Sequence, residues 1–170
     1  MVFNGAQIHM LVNHLPVIGF LGVVLGLLAT LFLRSTDVKR FVLAATTVVG
    51  LSAIAPFLTG EPAEEVIEDL PGVQKALIHE HEEAAETATV LAVATGVLAG
   101  AAFVLSRKRP DTLRFGVPAV LVLSVASAAV MGLAAHEGGK IRHPEIIPGG
   151  LTTPAAAGGE VEGHDDDGDD

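Results

Sequence analysis

Seven histidines stand at positions 9, 14, 79, 81, 136, 143 and 164, and an imidazole near neutral pH can ligate a metal or carry a proton. Cysteine is absent, which excludes disulfides, thiolate metal sites, iron–sulfur clusters and covalent haem attachment through C-x-x-C-H. Any metal must therefore be held by His, carboxylate or Met. Six of the histidines fall in three runs: Ile8-His-Met-Leu-Val-Asn-His-Leu-Pro16, Ile78-His-Glu-His-Glu-Glu-Ala-Ala-Glu86 and His136-Glu-Gly-Gly-Lys-Ile-Arg-His143. Two imidazoles from different helices can clamp a b-type haem. Histidine and carboxylate three or four residues apart can instead bind Zn²⁺ or a di-iron centre. In the second run His79, Glu82, Glu83 and Glu86 share one helical face, while His81 points about 160° away from His79. A carboxylate-bridged di-iron centre expects glutamates from all four helices of a bundle. The glutamates here sit in one segment, so they read first as an acidic, outward-facing helix start.

The elements that must position these side chains are apolar. The chain has 170 residues, 50% hydrophobic and 18% charged, with a mean hydropathy of +0.54. The apolar residues are segregated into spans at approximately 8–33, 41–60, 80–106 and 113–136, each close to the ~20 residues that cross ~30 Å of hydrocarbon. A soluble globular fold is excluded, and the expected fold is all-α: one transmembrane domain over residues 1–147, an up-down four-helix bundle in a lipid bilayer. A net charge of -10 argues against nucleic acid as a partner.

Seven of the ten basic residues lie in two short connections, Arg34–Arg40 and Arg107–Arg114, which the positive-inside rule assigns to the cytoplasm. The connection from Glu61 to Glu83 holds eight acidic residues and one lysine. The expectation is a multi-pass protein of the cytoplasmic (inner) membrane with both termini extracytoplasmic. No Lys or Arg precedes the first apolar run, so that run is expected to be a retained span rather than a cleaved signal. Pro62 predicts a short outer helix over 63–70, stopped by Pro71-Gly72. A second helix is predicted to begin near Val73 and run unbroken into span three. Residues 148–170 lack a hydrophobic period and end in Asp165-Asp-Asp-Gly-Asp-Asp170, predicting a disordered acidic tail. Gly22-x-x-x-Gly26 and Gly96-x-x-x-Gly100 allow close helix packing and leave homo-oligomerisation open.

Counting residues from the cytoplasmic ends puts His14 near the outer hydrocarbon boundary, His9 and His81 about 7 Å above it and His136 about 5 Å above it. Spans one and three are diagonal in an up-down bundle. His14 opposite His81, or His9 opposite His81, could clamp a haem there. His136 would then support that haem or ligate a second, and Arg142 or Lys140 would face the anionic propionates. The paired glycines Gly138-Gly139 predict a left-handed helix cap just after span four. Any one of these histidines also fits as a plain interfacial residue, but four in one layer point to a site.

The motifs H-x4-H-x-P over His9–Pro16, His81 within His79-Glu-His-Glu-Glu83, and Gly138-Gly139 after the last span resemble a family of small prokaryotic four-span membrane proteins of unknown function. The resemblance covers about residues 7–147. It implies cytochrome b-like haem binders, with His9, His14 and His81 as cofactor residues. The chain departs from the family pattern at His136 and in its doubled His79 and His81. The expected function is a b-type cytochrome-like electron-transfer subunit, more a subunit than a stand-alone enzyme, holding one haem b, or two. Its cofactor-binding residues are then His9, His14, His81, His136 and Arg142, and its partners other membrane subunits or an extracytoplasmic cytochrome. One alternative is a divalent-metal (Zn or non-haem iron) binding or transport protein using His9, His14, His79, His81 and His136. The other is a structural accessory subunit of a larger membrane complex.

Overall fold

Pro56 decides where the second apolar run bends, because a proline removes one backbone donor and crowds the carbonyl four residues before it. In the computed structural model, which describes residues 3–143 and 146–147, the break falls at Ala53. It separates α2 (Thr36–Ser52) from α3 (Ile54–Ile67) and leaves Pro56 in the first turn of the new helix, where its missing N–H costs nothing. The other helices are α1 (Gly5–Phe32), α4 (Lys75–Lys108) and α5 (Leu113–Arg142), the last preceded by a 3₁₀ turn at Pro110–Thr112. Taking α2 and α3 as one rod, four rods result, each long and apolar enough to cross a membrane. The architecture is an all-α up-down four-helix bundle, as the sequence predicts.

The ends are built by local chemistry. Asn4 and Gln7 form a capping box on α1, with Asn4 Oδ1 accepting from the Gln7 N–H at 2.9 Å and Gln7 Oε1 from the Asn4 N–H at 3.1 Å. Ser35 Oγ accepts from the Val38 N–H at the start of α2. Arg107 and Lys108 close α4, where cations suit the negative end of the helix dipole.

Around the bundle α1 packs against α2–α3 and α5, and α4 against α2 and α5, so α1 and α4 stand diagonally. Lipid supplies no hydrophobic force between helices, so small residues must bring backbones together. Gly50 of α2 meets α4 so closely that a Cβ there would stand 2.5 Å from the Ala92 carbonyl oxygen and 2.6 Å from Gly96 Cα. Gly96 and Gly100 thus serve the α2–α4 crossing, whereas Gly22 has nothing within 4 Å. The half of the core that holds the histidines is alanine-rich around one large side chain, Phe20, with Ala53, Ala88, Ala92, Met131 and Ala134. The other half is filled by Leu27, Leu43, Val117 and Val120. At that opposite end Arg40 ties α2 to the C-terminus of α4, donating from Nη2 to the Ser106 carbonyl at 2.7 Å and from Nε to Ser106 Oγ at 3.3 Å.

Two boundaries differ from the sequence-based expectation. No separate helix starts at Pro62: α3 runs through it to Ile67, because the break is already made upstream at Ala53. The Pro62 carbonyl instead lies against Gly5, where any Cβ would collide with it. Span four does not stop near His136 in a left-handed glycine cap. α5 continues through Gly138-Gly139 to Arg142 and buries Ile141, and the one positive-φ glycine among the described residues is Gly72 (φ 83°), in the turn that the sequence does predict. The tail expected over 148–170 lies outside the described residues.

Candidate functional site

Each long helix buries a stripe of residues spaced by three and four. On α1 it runs Pro16, Phe20, Val23, Leu27, Thr30, and continued one and two turns toward the N-terminus it reaches His9. On α4 the stripe includes Ile78, Ala88, Ala92 and Ala99 and takes in His81. On α5 it includes Ser127, Met131, Ala134 and Ile141 and takes in Gly138. The three stripes converge at one end of the bundle, which brings His9 and His81 together across the diagonal. Their ring centroids are 6.3 Å apart with the planes at 87°.

Both rings are oriented through Nδ1. Thr59 Oγ1 lies 3.2 Å from His9 Nδ1 and is itself 3.0 Å from the Ala55 carbonyl and 3.2 Å from that of Pro56. A hydroxyl has one proton to give. Thr59 spends it on the α3 carbonyls, so its oxygen accepts from His9 Nδ1–H. His81 Nδ1 lies 2.9 Å from the Ala134 carbonyl, which can only accept. Each Nδ1 therefore carries a proton, and in the neutral form of each ring the lone pair then sits on Nε2, the arrangement in which an imidazole ligates a metal.

The other expected site residues are placed elsewhere. His14 is exposed on the lipid-facing side of α1, its Nδ1 donating to the Met10 carbonyl at 2.6 Å, beside Phe3, Gln7 and Leu11. Five residues separate it from His9, a rotation of about 140° around the helix, so the two cannot face the same diagonal partner. Of the two pairings weighed from the sequence, His9 and His81 are brought together, whereas His14 and His81 are not. His79 is 72% exposed and faces Glu83, with Nε2 to Oε1 at 3.3 Å. His136 and Arg142 are exposed on α5, and Lys140 is engaged with Glu137 at 2.6 Å. The five-histidine metal set His9, His14, His79, His81 and His136 is not assembled, and among the described residues no group of three or more His, Cys, Asp or Glu side chains could hold an ion. Thr59 and the Ala134 carbonyl are the site members that sequence reasoning missed. Thr59 had a signal, being the one hydroxyl at the end of an otherwise apolar turn; a backbone carbonyl has none.

Comparison of the chain with protein-family models, with curated proteins and with solved structures finds no match.

Proposed function

We propose that the chain is a membrane-bound electron-transfer subunit in which His9 and His81 would hold one b-type haem at the outer face of the bundle. The observation that carries this reading is the pair itself: two imidazoles from diagonal helices, each held through Nδ1 by an oxygen, with centroids 6.3 Å apart. Two imidazoles that ligate one metal centre from opposite sides at about 2.0–2.1 Å have centroids about 6 Å apart. The donor set fits haem b, which takes two neutral imidazoles and no covalent thioether link. The surrounding side chains are small, with Ala84, Ala85 and Ala134 packed into the same half of the core.

When bound, the haem supplies one-electron chemistry. His9 and His81 would hold it, and Thr59 and the Ala134 carbonyl, by accepting from each Nδ1–H, would leave Nε2 to ligate and raise its basicity. Among the described residues no histidine lies near the opposite end of the bundle to hold a second haem, so a haem at this site would exchange electrons with an extracytoplasmic carrier and a membrane partner. The test is the absorption spectrum of the detergent-purified protein, oxidised and dithionite-reduced, with a pyridine haemochrome count. A Soret band and a sharp reduced α-band that are lost in His9→Ala and in His81→Ala but kept in His14→Ala support the reading. A colourless folded protein, or loss of the bands only in His14→Ala, overturns it.

One observation favours a second reading. The two rings already stand at the separation one ion needs, with α5 packed directly on His81. A bare divalent ion, Zn²⁺ or Fe²⁺, would bind the pair without a macrocycle. Elemental analysis showing one ion per chain and no Soret band selects this alternative.

A further inference from the structure

Gly138 lies in the closing turns of α5, four residues before its end at Arg142, where glycine is a poor helix former and its φ is not positive. A Cβ built there would stand 3.0 Å from His81 Cε1, 3.1 Å from Nδ1 and 3.5 Å from Nε2. Real Cβ contacts are rarely so tight, and here the neighbour is a rigid ring already held by a hydrogen bond. That bond runs to the Ala134 carbonyl at 2.9 Å. By helix geometry this carbonyl is also the one that accepts the Gly138 N–H, since it lies four residues earlier. Side chains on a helix lean toward its N-terminus, over the preceding turn. A side chain at 138 would therefore lean over the carbonyl that His81 must reach from α4. The adjacent Gly139 differs: its Cβ would make an ordinary 3.6 Å contact with Ile146 Cδ1.

We propose that Gly138 is the positioning residue for His81: the missing side chain leaves the Ala134 carbonyl open to a second donor, and this keeps the ring oriented with its proton on Nδ1 and Nε2 turned away from α5's backbone acceptor. The functional consequence rests on the haem reading; the tautomer itself does not. Gly138 touches no cofactor and acts only through the imidazole. α5 thus contributes no ligand to the site and yet sets the chemistry of one.

The experiment uses the full chain, labelled with ¹⁵N-histidine and reconstituted in lipid nanodiscs. Long-range ¹H–¹⁵N correlation spectra read the tautomer of His81, assigned by its absence in His81→Ala. Wild type and Gly139→Ala are expected to show the Nδ1–H tautomer. Gly138→Ala is expected to lose it, and after haem addition to lose or shift the low-spin spectrum that Gly139→Ala retains. If Gly138→Ala keeps the Nδ1–H tautomer of His81, the proposal is wrong. If Gly138→Ala does not fold, the double variant His81→Ala/Gly138→Ala decides. With the ring gone the added methyl is harmless, so recovery of folding supports the proposal and failure to recover overturns it. A wild type that binds no haem while its His81 tautomer still depends on residue 138 sinks the haem reading and leaves the positioning role intact.

Discussion

Replacing Gly50 with alanine tests whether the α2–α4 crossing is as tight as described, and the size of the effect follows from the distances. The new Cβ would stand 2.5 Å from the Ala92 carbonyl oxygen and 2.6 Å from Gly96 Cα, whereas ordinary contact begins at 3.4 Å. Both obstacles are backbone, so no rotamer change relieves them and the two helices must part by most of an ångström. Overpacking a tight core costs about 1–3 kcal/mol, and an immovable neighbour places this case near the upper end. Alanine recovers about 0.8–1.0 kcal/mol over glycine in helix propensity. The expected net loss is about 2 kcal/mol by the same two terms. Gly22→Ala is the matched control, since nothing lies within 4 Å of its Cβ, and it should gain about 1 kcal/mol from propensity alone. The chain has no Trp, Tyr or Cys, so intrinsic fluorescence is unavailable and an introduced thiol is a clean reporter. Ser124 is fully buried, and Ser124→Cys labels only when the bundle opens. Labelling along an SDS titration in mixed micelles gives the opening free energy of both variants in that background. A Gly50→Ala protein as stable as its parent, or a Gly22→Ala protein less stable than Gly50→Ala, would refute the crossing geometry.

Other substitutions separate the roles assigned above. Thr59→Val removes the acceptor of His9 Nδ1–H at constant shape and should weaken haem or metal binding about 10–100-fold, as loss of a partner that orients a ligating histidine does; Thr59→Ser should stay near wild type in the same absorbance titration. Ser124 Oγ is buried with no hydrogen-bond partner among the described residues, so Ser124→Ala should leave the thermal midpoint, followed by circular dichroism, unchanged or raised. Ser127→Ala, which breaks the 3.0 Å bond to Thr95, should lose about 0.6 kcal/mol, the usual worth of such a bond in a membrane bundle. Arg40→Met should destabilise by about 1.5–3 kcal/mol, the range for hydrogen bonds to a charged group, with hydrogen exchange rising first near Ser106.

The four spans were legible in the sequence because membrane helices announce themselves by length and apolarity, and the unbroken run of α4 (Lys75–Lys108) into the third span followed from the lack of any proline between 74 and 106. Which histidines meet was not legible. α1 is apolar nearly all round, so no contrast between a wet and a dry face told His9 from His14, and only the packed neighbours choose the side. On α4 the opposition of His79 and His81 could be read from their spacing, but not which of them turns inward. Gly138-Gly139 misled because paired glycines after an apolar run ordinarily end a helix. Here the first of them is needed inside the helix to admit an imidazole. Ala53 shows the same limit for the backbone: Pro56 and Pro62 both signal a break, and the one that reaches the end of the apolar stretch first makes it.

The diagonal pairing has a consequence for the order in which the molecule is made. His9 belongs to the first span and His81 to the third, while Thr59 arrives with the second. The first hairpin alone contains both His9 and the Thr59 that accepts from its Nδ1–H, but it lacks the opposing imidazole. Its counterpart is likewise incomplete until the fourth span delivers the Ala134 carbonyl. Each half-site is thus complete within its own pair of neighbouring spans, and the two face each other only when those pairs associate. On the proposed haem reading, loading of the site would then double as a checkpoint that all four spans have been inserted.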